Sequence, residues 1–508
     1  MNRCSSTVTP PRILVHLYNF ENWPSDHTMT YSGGRYHALL LAYAMAHGGA
    51  DVTVLTNSHT AFGRDFESEM NATVRFVVDE DFRADAVLGA FDVVVVAPSG
   101  AFRPEFYASA EDVAHRTGAT LVLINYESAN WFNSIAPTPD DPRVWDYWRR
   151  TVLHGGVVLS SARESDRWAR NFYLPRDEPI VFDHCYPPIN SIAADAVGDP
   201  EPDGSIVCFA RPFHDFKGGN DVLALAPEVL RDRTLHVVFG GTPDRDYRAA
   251  LEAKVAAVPS CRLEVHSRLR DREKFDLLAR VGALLFPSRF EGFGYPPVEA
   301  TYVGTPVCCY DLPVLVETVG TVAHMAPLGD VDELSAALHR ALAEPRDRNR
   351  LQASVADIVS IDACSRRTKE LLARWCSMPR TAWPFPTVLW GPWSTLPGTF
   401  GAPGRYDRFP PQPPWGCVDE HGVGEDISLR VHLWAEGPVT RATLVSTDRI
   451  IAATRVHTDD SFDGWVRTEL EFHLQPADLD RVLALEGVDR TGGVAFEREE
   501  LLVRHPPA

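Results

Sequence analysis

The sequence predicts an α/β protein with two parallel-sheet domains, followed by a small antiparallel β-domain. Short apolar runs without alternation recur between helix-like segments, from residues 13–17 to 157–160 and again from 206–209 to 306–310. Unbroken apolar strands are typical of parallel sheets that helices cover on both faces. Beyond residue 420 the apolar residues alternate instead, which is typical of half-exposed antiparallel strands.

Length and composition indicate where the domains begin and end. A chain of 508 residues is too long for one hydrophobic core. The α/β pattern breaks in a stretch of small, acidic, Pro- and Gly-containing residues at 190–204, and again where Pro, Gly and Trp dominate. We therefore expect a first α/β domain at 1–190, a second at 200–377, a connector at 378–420 and a β-sandwich-like domain at 421–508.

Bulk properties argue against several classes of protein. With 45% apolar and 23% charged residues the chain is typical of globular proteins, and its formal net charge of −20 disfavours nucleic-acid binding. Nine scattered cysteines without a CxxC pair indicate reduced thiols rather than disulfides or a zinc site. The chain shows no leader-like N-terminus and no run of 18 apolar residues, so we expect a cytoplasmic protein without an integral membrane segment. A peripheral membrane contact around residues 145–150 stays open.

Residues 286–307 carry the most informative motif, with Glu291 and Glu299 separated by seven residues. A loop containing Gly292 and Gly294 follows a strand, and a proline pair then opens a short helix. Backbone N–H groups at such a helix start favour an anion. A carboxylate accepts hydrogen bonds from two hydroxyls, so Glu299 suits a ribose diol and Glu291 a sugar. For Glu299 alone, compensation of the helix dipole is the alternative.

A second cluster follows the first strand of the second domain. Arg211 and Lys217 come directly after residues 206–209. Ligands of open α/β sheets bind beyond the carboxyl ends of strands, so both cations are expected where a diphosphate would lie. A guanidinium fork and an ammonium together offset the charge of such a leaving group. A solvated surface pair is the alternative for these two residues taken alone.

Together the two clusters resemble family 4 glycosyltransferases of the GT-B architecture. The resemblance covers residues 200–325 closely and the first domain only as a pattern. It implies two Rossmann-like domains facing a cleft. It further implies transfer of a hexosyl group from a nucleoside-diphosphate sugar to a hydroxyl of a glycan or small-molecule acceptor, with retention of anomeric configuration. Apart from the donor substrate, it implies no cofactor.

The resemblance also implies roles for individual residues. In catalysis, Glu291 would contact the donor sugar while Arg211 and Lys217 hold the diphosphate. Glu299 would bind the ribose. The remaining donor-binding positions are the amides of Gly292, Phe293 and Gly294, the pair Gly33 and Gly34 on the opposite lip of the cleft, and Leu269, in a stretch where relatives usually carry a glycine near the base.

One residue of the family pattern is missing from the first domain. Many relatives carry a histidine after a mid-domain strand, near the reacting carbon. The comparable residues 124–130 contain none. Tyr126 and Glu127 are the alternatives for its place.

No metal site is predicted. The Asp-x-Asp motifs at residues 244–246 and 478–480 are interpreted as surface features, since the Arg/Lys pair already supplies positive charge. In the β-domain, Trp434 and Trp465 either stack on sugar rings or, as is more usual in a small sandwich, pack in its core.

Three other functions fit parts of the sequence. A glycosidase would use Glu291 and Glu299 as acid and nucleophile, but it leaves Arg211 and Lys217 without a role. An epimerase or a phosphorylase would keep the GT-B fold and change the reaction. A non-catalytic protein that binds nucleotide sugars or glycans is supported by the missing histidine.

Overall fold

The computed structural model describes most of the two α/β domains and much of the β-domain. The described residues are 9–18, 33–57, 74–87, 89–98, 104–128, 131, 148, 151–152, 156–173, 180–209, 215–239, 245–267, 269–378, 391–395, 406–409, 426–436, 438–445, 450–462, 465–475, 484–486 and 494–504.

The first domain is a seven-stranded parallel sheet, in the order β3-β2-β1-β4-β5-β6-β7. Its strands are β1 (Arg12–Leu17), β2 (Asp51–Thr56), β3 (Val74–Val78), β4 (Val93–Ala97), β5 (Thr120–Asn125), β6 (Val157–Ser160) and β7 (Val181–His184). Helices α1 (Gly33–His47), α2 (Pro104–Thr117) and α3 (Arg163–Tyr173) accompany them. Separate apolar cores line the two faces of the sheet, as the unbroken apolar strands predict.

The second domain is a six-stranded parallel sheet, in the order β10-β9-β8-β11-β12-β13. Its strands are β8 (Ile206–Phe209), β9 (Thr234–Phe239), β10 (Arg262–Ser267), β11 (Ala283–Phe286), β12 (Val307–Tyr310) and β13 (His324–Ala326). Its helices are α4 (Ser191–Asp195), α5 (Gly219–Ala224), α6 (Pro227–Leu230), α7 (Arg245–Ala256), α8 (Asp271–Arg280), α9 (Tyr295–Tyr302), α10 (Pro313–Val319), α11 (Val331–Ala343), α12 (Arg348–Val359) and α13 (Ile361–Cys376). The predicted pair of α/β domains is confirmed.

The strand order of each sheet reverses beside its first strand. β8 lies between β9 and β11, so the chain leaves β8 and β11 at neighbouring points on the carboxyl edge of the sheet. Such a switch point opens a crevice for ligands. The loops that carry the two sequence clusters follow β8 and β11, and the topology therefore brings them together.

The last helix of the second domain packs against the first domain. Ile361, Cys364, Leu372 and Trp375 of α13 are buried in the core that includes α1. The Trp375 indole donates to Asp183 Oδ2 at 2.7 Å at the end of β7. Because α1 lies between the sheet and α13, it is buried continuously from Tyr36 to Met45. The chain thus crosses between the domains a second time.

The C-terminal region contains two antiparallel sheets, as predicted. One has the order β14-β15-β21-β17-β18 and the other the order β19-β20-β16-β22. The strands are β14 (Gly391–Thr395), β15 (Tyr406–Phe409), β16 (Asp426–Glu436), β17 (Thr443–Val445), β18 (Ile450–Ala452), β19 (Arg455–Phe462), β20 (Trp465–Leu474), β21 (Ala484–Glu486) and β22 (Val494–Arg504). Alternating residues such as Val431 and Leu433 are buried, as the period of two predicts.

The predicted domain boundaries stay predictions. Strands β14 and β15 fall inside the expected connector at 378–420 and pair within the first C-terminal sheet. Trp434 lies in β16 and Trp465 begins β20, while their side chains are outside the described residues. Among helices in the described part of the chain, none combines the length and the apolar character needed to span a membrane.

Candidate active site

Two glycines in the loops after β8 and β11 have left-handed backbone conformations. Gly218 has a φ of +66°, and a Cβ built on it would lie 2.0 Å from the Pro287 carbonyl oxygen in the loop after β11. Gly294 directly precedes α9 with a φ of +87°, and its added Cβ would lie 2.6 Å from a Leu315 methyl carbon of α10. Neither position accommodates a side chain in this conformation. Where the loops meet, the Arg289 amide donates to the Phe216 carbonyl at 2.7 Å.

Lys217 and Glu291, predicted from separate motifs, form a direct ion pair. Lys217 Nζ lies 2.6 Å from Glu291 Oε1, and both side chains are mostly buried. Ser288 Oγ donates to the same carboxylate oxygen at 2.7 Å. Lys217 also donates to the Phe290 carbonyl at 3.3 Å. These contacts fix the ammonium beside the loop that contains Gly292 and Gly294.

Arg211 lies outside the described residues, in the stretch that follows β8. Its predicted contact with a diphosphate therefore stays a prediction. Of the two Asp-x-Asp motifs, Asp246 is in the first turn of α7, while Asp244 and the motif at 478–480 are outside the described residues.

Glu299 lies at the centre of a buried charge network that the sequence analysis missed. Its side chain is 2% exposed, and Lys274 Nζ lies 2.6 Å from its Oε1. Lys274 is also 2.9 Å from Asp271 Oδ1, and the Tyr36 hydroxyl donates to Asp271 Oδ2 at 2.9 Å. Asn190 donates to the same Asp271 oxygen at 3.0 Å. One ammonium thus pairs with two carboxylates, and the network joins α8 to α9 through Lys274 and to α1 through Tyr36.

The electrostatics of this network follow from burial and pairing. Burial raises the pKa of Glu299, and the ammonium of Lys274 opposes that rise. Burial also acts to lower the pKa of Lys274, but the carboxylates of Asp271 and Glu299 outweigh it and the pKa lies above its usual range. Lys274 is therefore a cation at neutral pH. Its i, i+3 spacing from Asp271 on one helix was the sequence signal for this part of the network.

The predicted glycine pair lies across the cleft from α9. A Cβ built on Gly33 would lie 3.9 Å from the Tyr295 ring. The Tyr126 hydroxyl donates to the Gly34 carbonyl at 2.8 Å, which fixes the start of α1. Tyr36 and Tyr295 pack edge to face, with ring centroids 5.0 Å apart. The backbone at Gly33 and Gly34 is thus held opposite the segment 291–295, which was predicted to bind the donor and is called the donor loop below.

The loops after β5 and β6 contact Gly292 of the donor loop. A Cβ on Gly292 would lie 2.9 Å from the Tyr126 carbonyl oxygen and 3.0 Å from Glu127 Oε1. Ser161 Oγ donates to the Gly292 carbonyl at 2.9 Å. Of the two alternatives for the missing histidine, Glu127 directs its carboxylate at the donor loop, whereas the Tyr126 hydroxyl is bonded to Gly34.

Two further predicted donor-binding residues, Phe293 and Leu269, pack on apolar neighbours. Phe293 is buried and packs edge to face against Tyr295 at 5.3 Å. Leu269 lies shortly after β10 and packs on the core of the second domain. The sequence analysis did not predict an aromatic cluster next to the site. Trp131 packs edge to face against Phe290, with ring centroids 5.0 Å apart, and stacks against Trp168.

Glu317 of α10 fastens the two domains beside the site. Its carboxylate accepts the backbone N–H groups of Arg163 and Glu164 at 2.9 and 3.2 Å, at the start of α3. It also accepts the Tyr186 hydroxyl at 2.6 Å. A carboxylate at a helix N-terminus is a favourable partner for the helix dipole. Glu317 therefore links α10 of the second domain to the start of α3 in the first domain.

Residues 194–356 match the protein family described as Glycosyl transferases group 1. MMP alpha-(1->4)-mannosyltransferase from Mycolicibacterium hassiacum is 43% identical over 88 residues, which are 17% of this chain and 21% of that protein. 2-Deoxystreptamine glucosyltransferase from Streptomyces kanamyceticus is 32% identical over 154 residues, which are 29% of this chain and 39% of that protein. The chain therefore matches well under half of the length of these relatives.

Solved structures share the two-domain fold at low sequence identity. A glycosyltransferase from Rickettsia africae is similar with a TM-score of 0.52 at 12% identity, over 73% of this chain and 100% of that one. HepE from Anabaena, in complex with UDP, has a TM-score of 0.51 at 12% identity, over 72% of this chain and 100% of that one. The two parallel-sheet domains therefore have the GT-B fold of glycosyltransferases, and residues 194–356 match the group 1 glycosyl transferases.

Proposed function

We propose that the protein is a retaining hexosyltransferase that moves a sugar from a nucleoside-diphosphate sugar to a hydroxyl of a glycan or other acceptor. The observation that carries the proposal is the arrangement around the donor loop. Gly292 and Gly294 lie at the start of α9, the Lys217–Glu291 pair lies beside them, and the first domain faces them with Glu127. This segment also falls within the group 1 glycosyl transferase match.

The geometry suits a diphosphate leaving group. The loop amides of Gly292, Phe293 and Gly294 precede the N-terminus of α9, where the helix dipole is positive, and Lys217 adds a charge beside this loop. Pro296 and Pro297 have no N–H, so the first turn of α9 contributes few donors of its own. Cations and amides fixed in place stabilise charge as it develops on the leaving phosphate oxygen. Arg211 is proposed to complete this set. Within the described residues, the transition state would gain most from Lys217.

In the proposed reaction, the bond between the anomeric carbon and the phosphate oxygen breaks and the nucleoside diphosphate leaves. The acceptor oxygen bonds to the anomeric carbon on the same face of the sugar, and its proton passes to the leaving phosphate. Glu291 would orient the sugar hydroxyls, with its own position fixed by Ser288 and Lys217. Glu127 would face the reacting carbon from the first domain.

The position of Glu299 argues against glycosidase chemistry. A retaining glycosidase needs two carboxyl groups that flank the bond to be cleaved. Glu299 is 2% exposed and paired with Lys274, so it is poorly placed to attack a sugar. Ribose binding by Glu299 would require this carboxylate to become accessible and to exchange its contact with Lys274. UDP is the first nucleotide to test, because HepE was solved with it.

The experiment is an assay of donor turnover with the full chain. UDP-, GDP-, ADP- and TDP-hexoses are incubated with glycan and small-molecule hydroxyl acceptors, and proton NMR follows the anomeric signals of donor and product. We expect one donor to be consumed, with the same configuration in the product. Lys217→Ala should lower kcat by about 100-fold, as removal of one transition-state donor does. Glu252→Gln, in an exposed ion pair on α7, is the matched control.

Three outcomes would replace this proposal. Nucleotide binding without turnover of any donor would favour the non-catalytic binding protein. Cleavage of a glycan that requires inorganic phosphate would favour a phosphorylase. Inversion at the anomeric carbon would overturn the retaining mechanism while leaving the donor site in place.

A further inference from the structure

Strands β9 and β10 bring three metal-ligating side chains to one point of the second domain, outside the site described above. His236 of β9 is the register partner of Glu264 on β10. His266 follows Glu264 by two residues and therefore projects from the same face of the strand. The ligand atoms of the three side chains all lie within 4.8 Å of one another.

The distances fit a shared cation. His236 Nδ1 lies 3.0 Å from His266 Nε2 and 3.2 Å from Glu264 Oε2, and His266 Nε2 lies 3.9 Å from the same oxygen. Ligands bound at about 2.0–2.2 Å in a tetrahedral zinc site are themselves about 3.3–3.6 Å apart. All three separations are within about 0.3 Å of that range, and a small rotation of the exposed Glu264 side chain would adjust its two distances.

Both imidazoles present a ring nitrogen to the same point. His236 offers Nδ1 and His266 offers Nε2, and these atoms lie 3.0 Å apart. Imidazole is the commonest protein ligand for transition metals, and it binds through either of its ring nitrogens.

The cluster is both anchored and accessible. The His236 side chain is 4% exposed and that of His266 is 21% exposed, so packing limits their movement. Glu264 is 53% exposed on β10, the edge strand of the sheet, and leaves a route from solvent. Two imidazoles and one carboxylate form a ligand set that suits zinc and its neighbours rather than magnesium or calcium.

We propose that His236, Glu264 and His266 bind a divalent transition-metal ion, namely Zn²⁺, with a solvent molecule as the fourth ligand. The ion would tie the edge strand β10 to β9 and so stabilise the second domain. The sequence analysis predicted no metal site. The sequence carries only a weak signal for this site. His236 lies on one strand and the Glu-x-His pair on another, and the strand register alone makes them neighbours.

The test uses the full chain after treatment with EDTA. Zn²⁺ is titrated against a chromophoric chelator, and Co²⁺ is added separately to record its ligand-field absorption. We expect one high-affinity ion per chain and a Co²⁺ spectrum of a four- or five-coordinate site. Glu264→Gln and His266→Gln should each weaken Zn²⁺ binding by about 100-fold or more and abolish that spectrum. Zn²⁺ should raise the Tm of the parent but not of either variant.

His47→Gln is the matched control, since His47 forms an exposed two-residue pair with Asp362 at 2.9 Å. This variant should bind Zn²⁺ like the parent. The proposal is overturned if the parent binds no Zn²⁺, or if Glu264→Gln and His266→Gln bind it as tightly as the parent does. Because Glu264 is more than half exposed, Glu264→Gln tests the site even if His266→Gln fails to fold.

Discussion

Replacement of Lys274 by methionine tests the buried network around Glu299. The substitution preserves most of the side-chain volume and removes the ammonium that lies 2.6 Å from Glu299 and 2.9 Å from Asp271. A buried ion left without its partner costs about 3–5 kcal/mol. We therefore expect Lys274→Met to lower the free energy of unfolding at pH 8 by about that amount.

The loss should depend on pH in a defined direction. Burial already raises the pKa of Glu299, and removal of Lys274 raises it further. Each unit by which the folded pKa exceeds the unfolded value costs about 1.4 kcal/mol above that folded pKa. The folded variant binds a proton that the unfolded chain has released, so its stability should recover as pH falls from 8 toward 5.

The assay is urea denaturation of parent and Lys274→Met at pH 8 and pH 5, together with Glu299→Gln and the double variant. The neutral amide that Glu299→Gln introduces needs no counter-charge, so the double variant should regain part of the loss at pH 8. The reasoning is refuted if Lys274→Met unfolds like the parent at pH 8. It is also refuted if the variant loses more stability at pH 5 than at pH 8.

Three further predictions concern the loops and the domain contacts. Gly218→Ala places a Cβ 2.0 Å from the Pro287 carbonyl oxygen, so it should separate the loops and abolish nucleotide binding in calorimetry, and parent-like affinity would contradict this geometry. Glu317→Gln weakens the charged cap of α3, so the free energy of unfolding should fall by about 1 kcal/mol and the Tm should fall with it. An unchanged Tm would show that this contact does not stabilise the protein. Asp183→Leu removes the acceptor of the buried Trp375 N–H and should cost about 1–3 kcal/mol in urea denaturation, whereas parent-like stability would show that the pairing of α13 with β7 contributes little.

The strands and the strand–loop–helix structure of residues 283–302 could be predicted from the sequence because their signals are local, whereas the role of this loop in donor binding stays a prediction. Unbroken apolar runs mark strands buried on both faces, and strand, glycine loop and proline-opened helix follow one another within residues 283–302. The ion pair between Lys217 and Glu291 could not be predicted in the same way. Both residues were expected at the donor site, but their 2.6 Å contact depends on the close approach of Gly218 to Pro287.

Features that depend on distant partners escaped the sequence analysis. The apolar stripe of α13 predicts that the helix is buried but not which domain covers it, and the structure places it against α1. Likewise, Lys274 reads as an ordinary charge on an amphipathic helix. Its role appears only because α8, α9 and α1 converge on Glu299 and Asp271. No periodic pattern encodes such a convergence.

The most direct test of the central claim is calorimetric titration of the full chain with UDP, GDP, ADP and TDP. The account predicts that one nucleoside diphosphate binds at one site per chain. It also predicts that Lys217→Ala weakens this binding by about ten-fold or more, as loss of a charged hydrogen bond does, while Glu252→Gln leaves it unchanged. Failure of all four nucleotides to bind, or equal binding by parent and Lys217→Ala, would contradict a donor site at the Gly292–Gly294 loop.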